Sequence, residues 1–331
     1  MVILSALTDS TGGKAALIVL ICAVALAVLL LGAGYLQFWI MIVRKKNSAL
    51  NGVTLKAFSK LMGTYVDAFI EHVTANAKIL AEFPHEDVTV TTDDGLKLMG
   101  RYFINTTPTD KTFLCMHGYS SEGMNDFAAI AQFYLKSGFN VLLPEHRAHG
   151  RSEGKYIGFG ALDRFDALKW LKLITDRFPD GNIFVTGISM GGATVLQMSE
   201  FDLPKNVKGI ISDCAFTNVH DEAAAVVKFL TKLPAFPLVN LASDYCKMLA
   251  KYDFTSVDSS NSVKNAKVPI LFIHGTGDLF IPHEMTVKCY ENCSTEKQLV
   301  LVEGAGHGSE HFHNTELYES SVKAFIDKYD C

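Results

Sequence analysis

The stretch "FVTGISMGGATVLQ", residues 184–197, decides how the rest of the chain is read. It begins with apolar β-formers, breaks at Gly187 and runs on in small residues that suit a helix. Gly187-Ile188-Ser189-Met190-Gly191 is therefore G-x-S-x-G at a strand-to-helix turn, the setting of a nucleophile elbow. Such a turn forces unusual backbone angles on the serine and leaves no room for side chains two residues either way, hence Gly187 and Gly191. It lifts the Ser189 hydroxyl above the sheet and puts the Met190 N–H, at the start of the next helix, where an oxyanion forms.

A serine hydroxyl is a weak nucleophile at neutral pH and needs a base. In an elbow the acid and then the histidine follow the serine in chain order, each in a loop after a later strand. "LFIHGTGDLFIP" supplies Asp278 and "LVLVEGAGHGSE" supplies His307. His307 takes the serine proton and Asp278 holds the ring. Asp213, which ends the run "IISDCAF", is the alternative acid. The second oxyanion donor is expected after an earlier strand, in "LCMHGYSS". There Gly118 lets the backbone pass close, and the N–H of Tyr119 is the candidate. His311 and His313 lie near His307, but no carboxylate or cysteine cluster joins them in a ligand pattern. No metal and no cofactor are expected.

Around these motifs the pattern is that of a covered parallel sheet. "VTVTTDDGLKLMGRYF" alternates about an Asp-Asp-Gly turn and reads as a hairpin. Six short apolar runs follow, at 112–116, 140–144, 182–187, 207–212, 268–274 and 298–304, most of them separated by helical stretches. One long insertion, about 217–266, carries a helical pattern interrupted by prolines. The net charge of −5 gives nucleic acid no electrostatic footprint.

Residues 15–43, "AALIVLICAVALAVLLLGAGYLQFWIMIV", contain no charge and are followed by Arg44, Lys45 and Lys46. About 20 apolar residues span a bilayer as a helix, so this stretch is read as a single-pass anchor. A cleaved signal peptide is the competing reading, although its apolar region is usually about 7–15 residues behind a basic start. The basic cluster favours a cytoplasmic catalytic domain by the positive-inside rule. Leu55, Phe58, Met62, Tyr65 and Phe69 recur at helical spacing, predicting an amphipathic helix that Pro84 ends. The cysteines show no disulfide framework. The chain then divides into a tail (1–14), anchor (15–43), linker with helix (44–84) and main domain (85–331).

"HGYSS", "PEHRAHGRSEG", "GISMGG", "GTGD" and "GAGHG", in this order, resemble the α/β-hydrolases, and among them membrane-anchored bacterial enzymes of the serine aminopeptidase-like and acyl-hydrolase groups. The resemblance covers roughly residues 85–330. It implies an α/β-hydrolase fold: a mostly parallel eight-stranded sheet with helices on both faces, here behind one N-terminal transmembrane helix. It also implies that the 217–266 insertion is a helical lid whose Phe229, Leu233, Phe236 and Leu238 line an apolar substrate pocket. Glu145 and Ala148 stand where the family usually has Asp and Gly, which is expected to alter the rim near Arg147 and His149. Some relatives are exported, against the cytoplasmic orientation. The substrate expected is a small or lipid-like acyl compound cleaved through an acyl-enzyme. An amidase would need a group to hold the substrate amine, for which Asp221, Glu222 and Asp244 are candidates, and a non-catalytic binding protein is the third reading. Nothing in the sequence sets an oligomeric state.

Overall fold

A computed structural model describes residues 11–45 and 66–330. Helix α1 (Thr11–Ile42) comes first and α2 (Val66–Ala81) follows. The hairpin β1 (His85–Thr91) and β2 (Lys97–Phe103) leads into β3 (Thr112–Met116), α3 (Ala128–Lys136) and β4 (Asn140–Pro144). Then come α4 (Asp163–Arg177), β5 (Ile183–Ile188), α5 (Met190–Met198) and β6 (Val207–Asp213). The insertion contributes α6 (Val219–Thr231) and α7 (Leu238–Ala250). The chain closes with β7 (Ile270–Gly275), α8 (Glu284–Asn292), β8 (Lys297–Val302) and α9 (Thr315–Tyr329).

The eight strands form one sheet in the order β1-β2-β4-β3-β5-β6-β7-β8. The first two pairings are antiparallel and the others parallel. β3, β4, β5 and β7 are buried at every residue, as strands covered on both faces must be, whereas the edge strand β1 alternates and is mostly exposed. One face packs Phe113, Tyr134, Phe184, Tyr318 and Phe325 beneath α3 and α9. The other packs Trp170, Met190, Leu196 and Phe272 beneath α4, α5 and α8, and runs on without a break into the lid. The hairpin turns where the Asp-Asp-Gly stretch predicted, with Gly95 at φ +84°.

Helix α1 has two parts. No residue of 11–33 is buried, whereas Gly34, Phe38 and Ile42, spaced by four, are buried against the main domain. A Cβ at Gly34 would fall 2.5 Å from the Leu241 Cβ, so glycine permits the close approach of α1 to α7. Beyond the helix the Ile42 carbonyl accepts from Ile157 N at 2.8 Å, and the Arg44 guanidinium donates to the carbonyls of Ser152 (2.5 Å) and Gly150 (2.6 Å). Arg44, counted in the basic cluster, is thus part of the fold. Leu55, Phe58, Met62 and Tyr65 of the expected amphipathic helix lie outside the described residues, as do Lys46 and Cys331. Phe69 lies on α2, its ring 5.6 Å from that of Phe312.

Candidate active site

Open α/β sheets present ligand sites at the carboxyl ends of their strands, and the motif residues converge there. Ser189, between β5 and α5, takes φ 55° and ψ −115°, a strained combination for a side chain with a Cβ. Its N–H donates to the Asp213 carbonyl at 2.8 Å, which ties the turn to the end of β6. The glycines have a steric cause: a Cβ at Gly187 would sit 2.2 Å from the Gly191 carbonyl oxygen, and one at Gly191 would sit 1.9 Å from the Met116 oxygen. Met190 opens α5, so its N–H lacks an intrahelical acceptor.

His307, in the loop after β8, sets Nε2 2.8 Å from the Ser189 Oγ and Nδ1 2.6 Å from the Asp278 Oδ2. Asp278 follows β7. Its Oδ1 accepts the N–H groups of Phe280 (2.8 Å) and Ile281 (2.9 Å), and its Oδ2 also meets His274 Nε2 at 3.1 Å. Burial works to raise the Asp278 pKa, but the charge of His307 and the bonds from both histidines outweigh it and hold the carboxyl well below the usual range. Burial likewise works to lower His307, and the Asp278 carboxylate more than restores it, leaving its pKa raised. A hydroxyl, an imidazole and a fixed carboxylate in line can pass a proton from Ser189 to His307 and stabilise the cation formed. Ser189 is largely buried, 8% exposed.

The loop after β3 lies opposite. Gly118 donates to the Asp126 Oδ2 at 2.6 Å, and Asp126 Oδ1 accepts from the Ser121 hydroxyl at 2.5 Å. A Cβ on Gly118 would lie 3.5 Å from the Ser189 Cβ, which measures how closely the two turns approach. The Tyr119 hydroxyl donates to the Ile40 carbonyl of α1 at 3.1 Å. His146 N donates to His117 Nε2 at 3.1 Å, so His117 carries its proton on Nδ1, facing the Gly118 carbonyl at 2.7 Å. The same reasoning fixes His149, which accepts from Ser120 N at 3.1 Å and faces the Arg147 carbonyl at 3.0 Å.

Several expectations need correction. Arg147 and His149 do not form a rim. Arg147 is buried in a two-pronged pair with Asp166 (2.7 and 2.8 Å) and reaches Asp94, because a desolvated guanidinium needs carboxylate partners. Ala148 stands at φ 61°, the left-handed conformation for which glycine is ordinarily used. His311 is buried and bonded to Glu319 at 3.1 Å. Phe229, Leu233 and Phe236 are exposed and Leu238 is half-buried. Asp213 meets not His307 but Cys214 and Glu310, donor atoms of the three lying within 4.8 Å of one another. Among the described residues this group alone has metal-like spacing, yet burial raises the pKa of both carboxyls, and the nearby Glu310 charge adds to the rise at Asp213.

Sequence reasoning missed His274 and Asp126. His274 is visible in "FIHGTGD" four residues before Asp278, but only the fold shows that its ring meets the carboxylate. Glu222, named with two other lid acids, is now set apart from them. Asp221 is partly exposed and its backbone is capped by Asn218, Asp244 is exposed, and Glu222 is 5% exposed with Oε2 lacking any partner. Burial pushes its pKa up to about 7, a rise that the nearby His307 partly offsets.

The family model for the α/β-hydrolase fold matches residues 111–244. An esterase of Pyrococcus furiosus, Pf2001, superimposes with a TM-score of 0.62 at 27% identity, over 76% of this chain and 93% of the esterase. Protein YqkD of Bacillus subtilis is 28% identical over 227 residues, 68% of this chain and 74% of YqkD. Rat monoglyceride lipase is 26% identical over 163 residues, 48% of this chain and 53% of the lipase. With the sheet order and the elbow, these matches show an α/β-hydrolase fold. The similarity to an esterase and a lipase supports a hydrolase.

Proposed function

We propose that the protein is a membrane-anchored serine hydrolase that cleaves an ester, thioester or related acyl bond through an acyl-enzyme. The observation that carries this reading is the line from Ser189 Oγ to His307 Nε2 (2.8 Å) and from His307 Nδ1 to Asp278 (2.6 Å). Ser189 attacks the acyl carbon while His307 takes its proton. The oxyanion is held by the N–H groups of Tyr119 and Met190. The tetrahedral species collapses as His307 returns the proton to the departing oxygen or sulfur. Water, deprotonated by His307, then attacks the acyl-serine, and the proton goes back to Ser189 as the acid leaves. No cofactor enters these steps.

The division we propose is a tail (1–14), an anchor (15–43), a linker (44–84) and a hydrolase domain (85–331) with a lid at about 217–266. Helix α1 is 32 residues long, with a most apolar window of mean hydropathy 3.1. We read it as an uncleaved anchor, because Phe38 and Ile42 belong to the core of the domain and cleavage behind the span would uncover their sockets.

Amide hydrolysis next to a substrate amine is the second reading, and Glu222 favours it: a buried carboxyl near His307 with no partner of its own suits a cationic or donor group. The test is a fluorophosphonate probe on the full chain in detergent, beside nitrophenyl esters of rising length and an aminoacyl-nitroanilide. The proposal requires labelling that Ser189→Ala abolishes and ester turnover. Turnover of the anilide alone would favour the amidase, and a folded protein that neither labels nor turns over would end both.

A further inference from the structure

Helix α1 and lid helix α7 run side by side in the same direction. Gly34 meets Leu241, and farther along the rings of Tyr35 and Phe38 lie 5.3 and 6.5 Å from that of Tyr245. Both helices therefore climb together towards the Ile42–Ile157 junction, and whatever precedes α7 lies at the level of α1 residues before Gly34. What precedes α7 is the tip of the lid. There Leu230, Leu233 and Phe236 are 58, 63 and 72% exposed, and Phe229 stands beside them under the Lys232 ammonium, 4.9 Å from its ring. Soluble surfaces rarely gather large apolar side chains in this way without a partner.

The free part of α1 says where that tip sits. Residues 11–33, in which nothing is buried, extend about 34 Å at 1.5 Å per residue, close to the roughly 30 Å of a bilayer core. The span is used up just where the helix begins to pack on the lid. A hydrocarbon boundary near residue 33 puts Gly34 and Leu241 at that boundary and the 229–237 tip at or below it. Lys228 stands just before the tip and Lys232 within it, as long basic side chains do where they reach from apolar surroundings to the headgroups.

We infer that the lid tip, Phe229 to Phe236, is seated in the leaflet that α1 leaves, so that the site opens towards lipid and takes its acyl substrate from the bilayer. The inference rests on the anchor reading above. The occupant is a lipid surface rather than a second copy, because the patch adjoins the span and lies on the level of its membrane-facing turns.

The test uses the full chain in phosphatidylcholine vesicles. Cys22, exposed in the free part of α1, reports the anchor: it is expected to resist a water-soluble maleimide until detergent is added. A Phe236→Trp variant reports the tip: the emission it adds over wild type is expected to be quenched by brominated acyl chains. A reactive Cys22 would overturn the anchor reading and this inference with it. A shielded Cys22 with an unquenched Trp at 236 would overturn the inference alone, and so would dimer cross-linking through that position. Leu230→Glu, at a tip residue outside the expected pocket lining, is expected to cut hydrolysis of a long-chain ester held in the vesicles by roughly tenfold through KM, since charges enter hydrocarbon at a cost. A short soluble ester keeps its rate in that variant; equal loss on both would contradict the inference.

Discussion

The loops at the ends of β7 and β8 and the lid that covers them treat buried carboxyls in opposite ways. Asp278 receives two backbone N–H groups and two imidazoles, and its pKa is held far down. Glu222, 5% exposed, has an oxygen with no partner and a pKa pushed up to about 7. A carboxylate whose bonding positions are filled by the fold is fixed in place and can orient a neighbour. One left empty in an apolar setting costs stability, and that cost is recovered only when a ligand supplies the partner. On the proposed reading, the first carboxyl orients the histidine of the proton transfer and the second is free to meet a substrate group.

The largest effect that would break this contrast is at Asp278. Asp278→Asn keeps the volume but presents the wrong donor to His307, and turnover is expected to fall by about 10⁴. Asp213→Asn is expected to cost far less, because that carboxyl lies beside Glu310 and Cys214 and makes no bond to His307; a severe loss there with a mild one at Asp278 would exchange the two roles. Protonated His307 cannot accept the serine proton, so kcat/KM rises with pH as the imidazolium is lost. With His307 raised by Asp278, that limb lies above the ordinary histidine range, and in residual Asp278→Asn activity it moves down. A pH profile of both forms checks the sign.

Glu222→Gln comes next. If the lid carboxyl holds a substrate amine, kcat/KM for an aminoacyl-anilide falls about ten- to a hundredfold, the worth of a charge-assisted hydrogen bond, while a simple ester changes little. The wild-type KM for the amine substrate then falls as pH rises through about 7 and the carboxyl ionises. Equal changes on both substrates would assign Glu222 a structural part.

The smallest effect is at Ala148, where φ is 61°. Ala148→Gly relieves a left-handed alanine but loosens the unfolded chain, so the net gain is about 1 kcal/mol or less, seen as a small rise in Tm with activity unchanged.

The same contrast governs what could be read in advance. Ser189, Gly187, Gly191 and the order of Asp278 and His307 were legible because a steric turn and the strand ends impose them locally. The parallel sheet was legible because strands such as 112–116 are apolar throughout. His274 and Asp126 sat in view in the same motifs, but their roles depend on distances across loops. The lid is less legible for a different reason: apolar residues at 229–238 look alike in sequence whether they face a pocket or the outside. The docked turns of α1 were hidden because Gly34, Phe38 and Ile42 lie inside an unbroken apolar run, where a buried stripe leaves no periodic signal.

The most direct test of the central claim is to mix the full chain with a slowly hydrolysed ester, quench within the first turnovers and weigh its peptides. The account predicts one added acyl group, on the peptide that carries Ser189, absent in Ser189→Ala and accumulating ahead of steady turnover. Acyl transfer to another residue, or full turnover by Ser189→Ala, would contradict it.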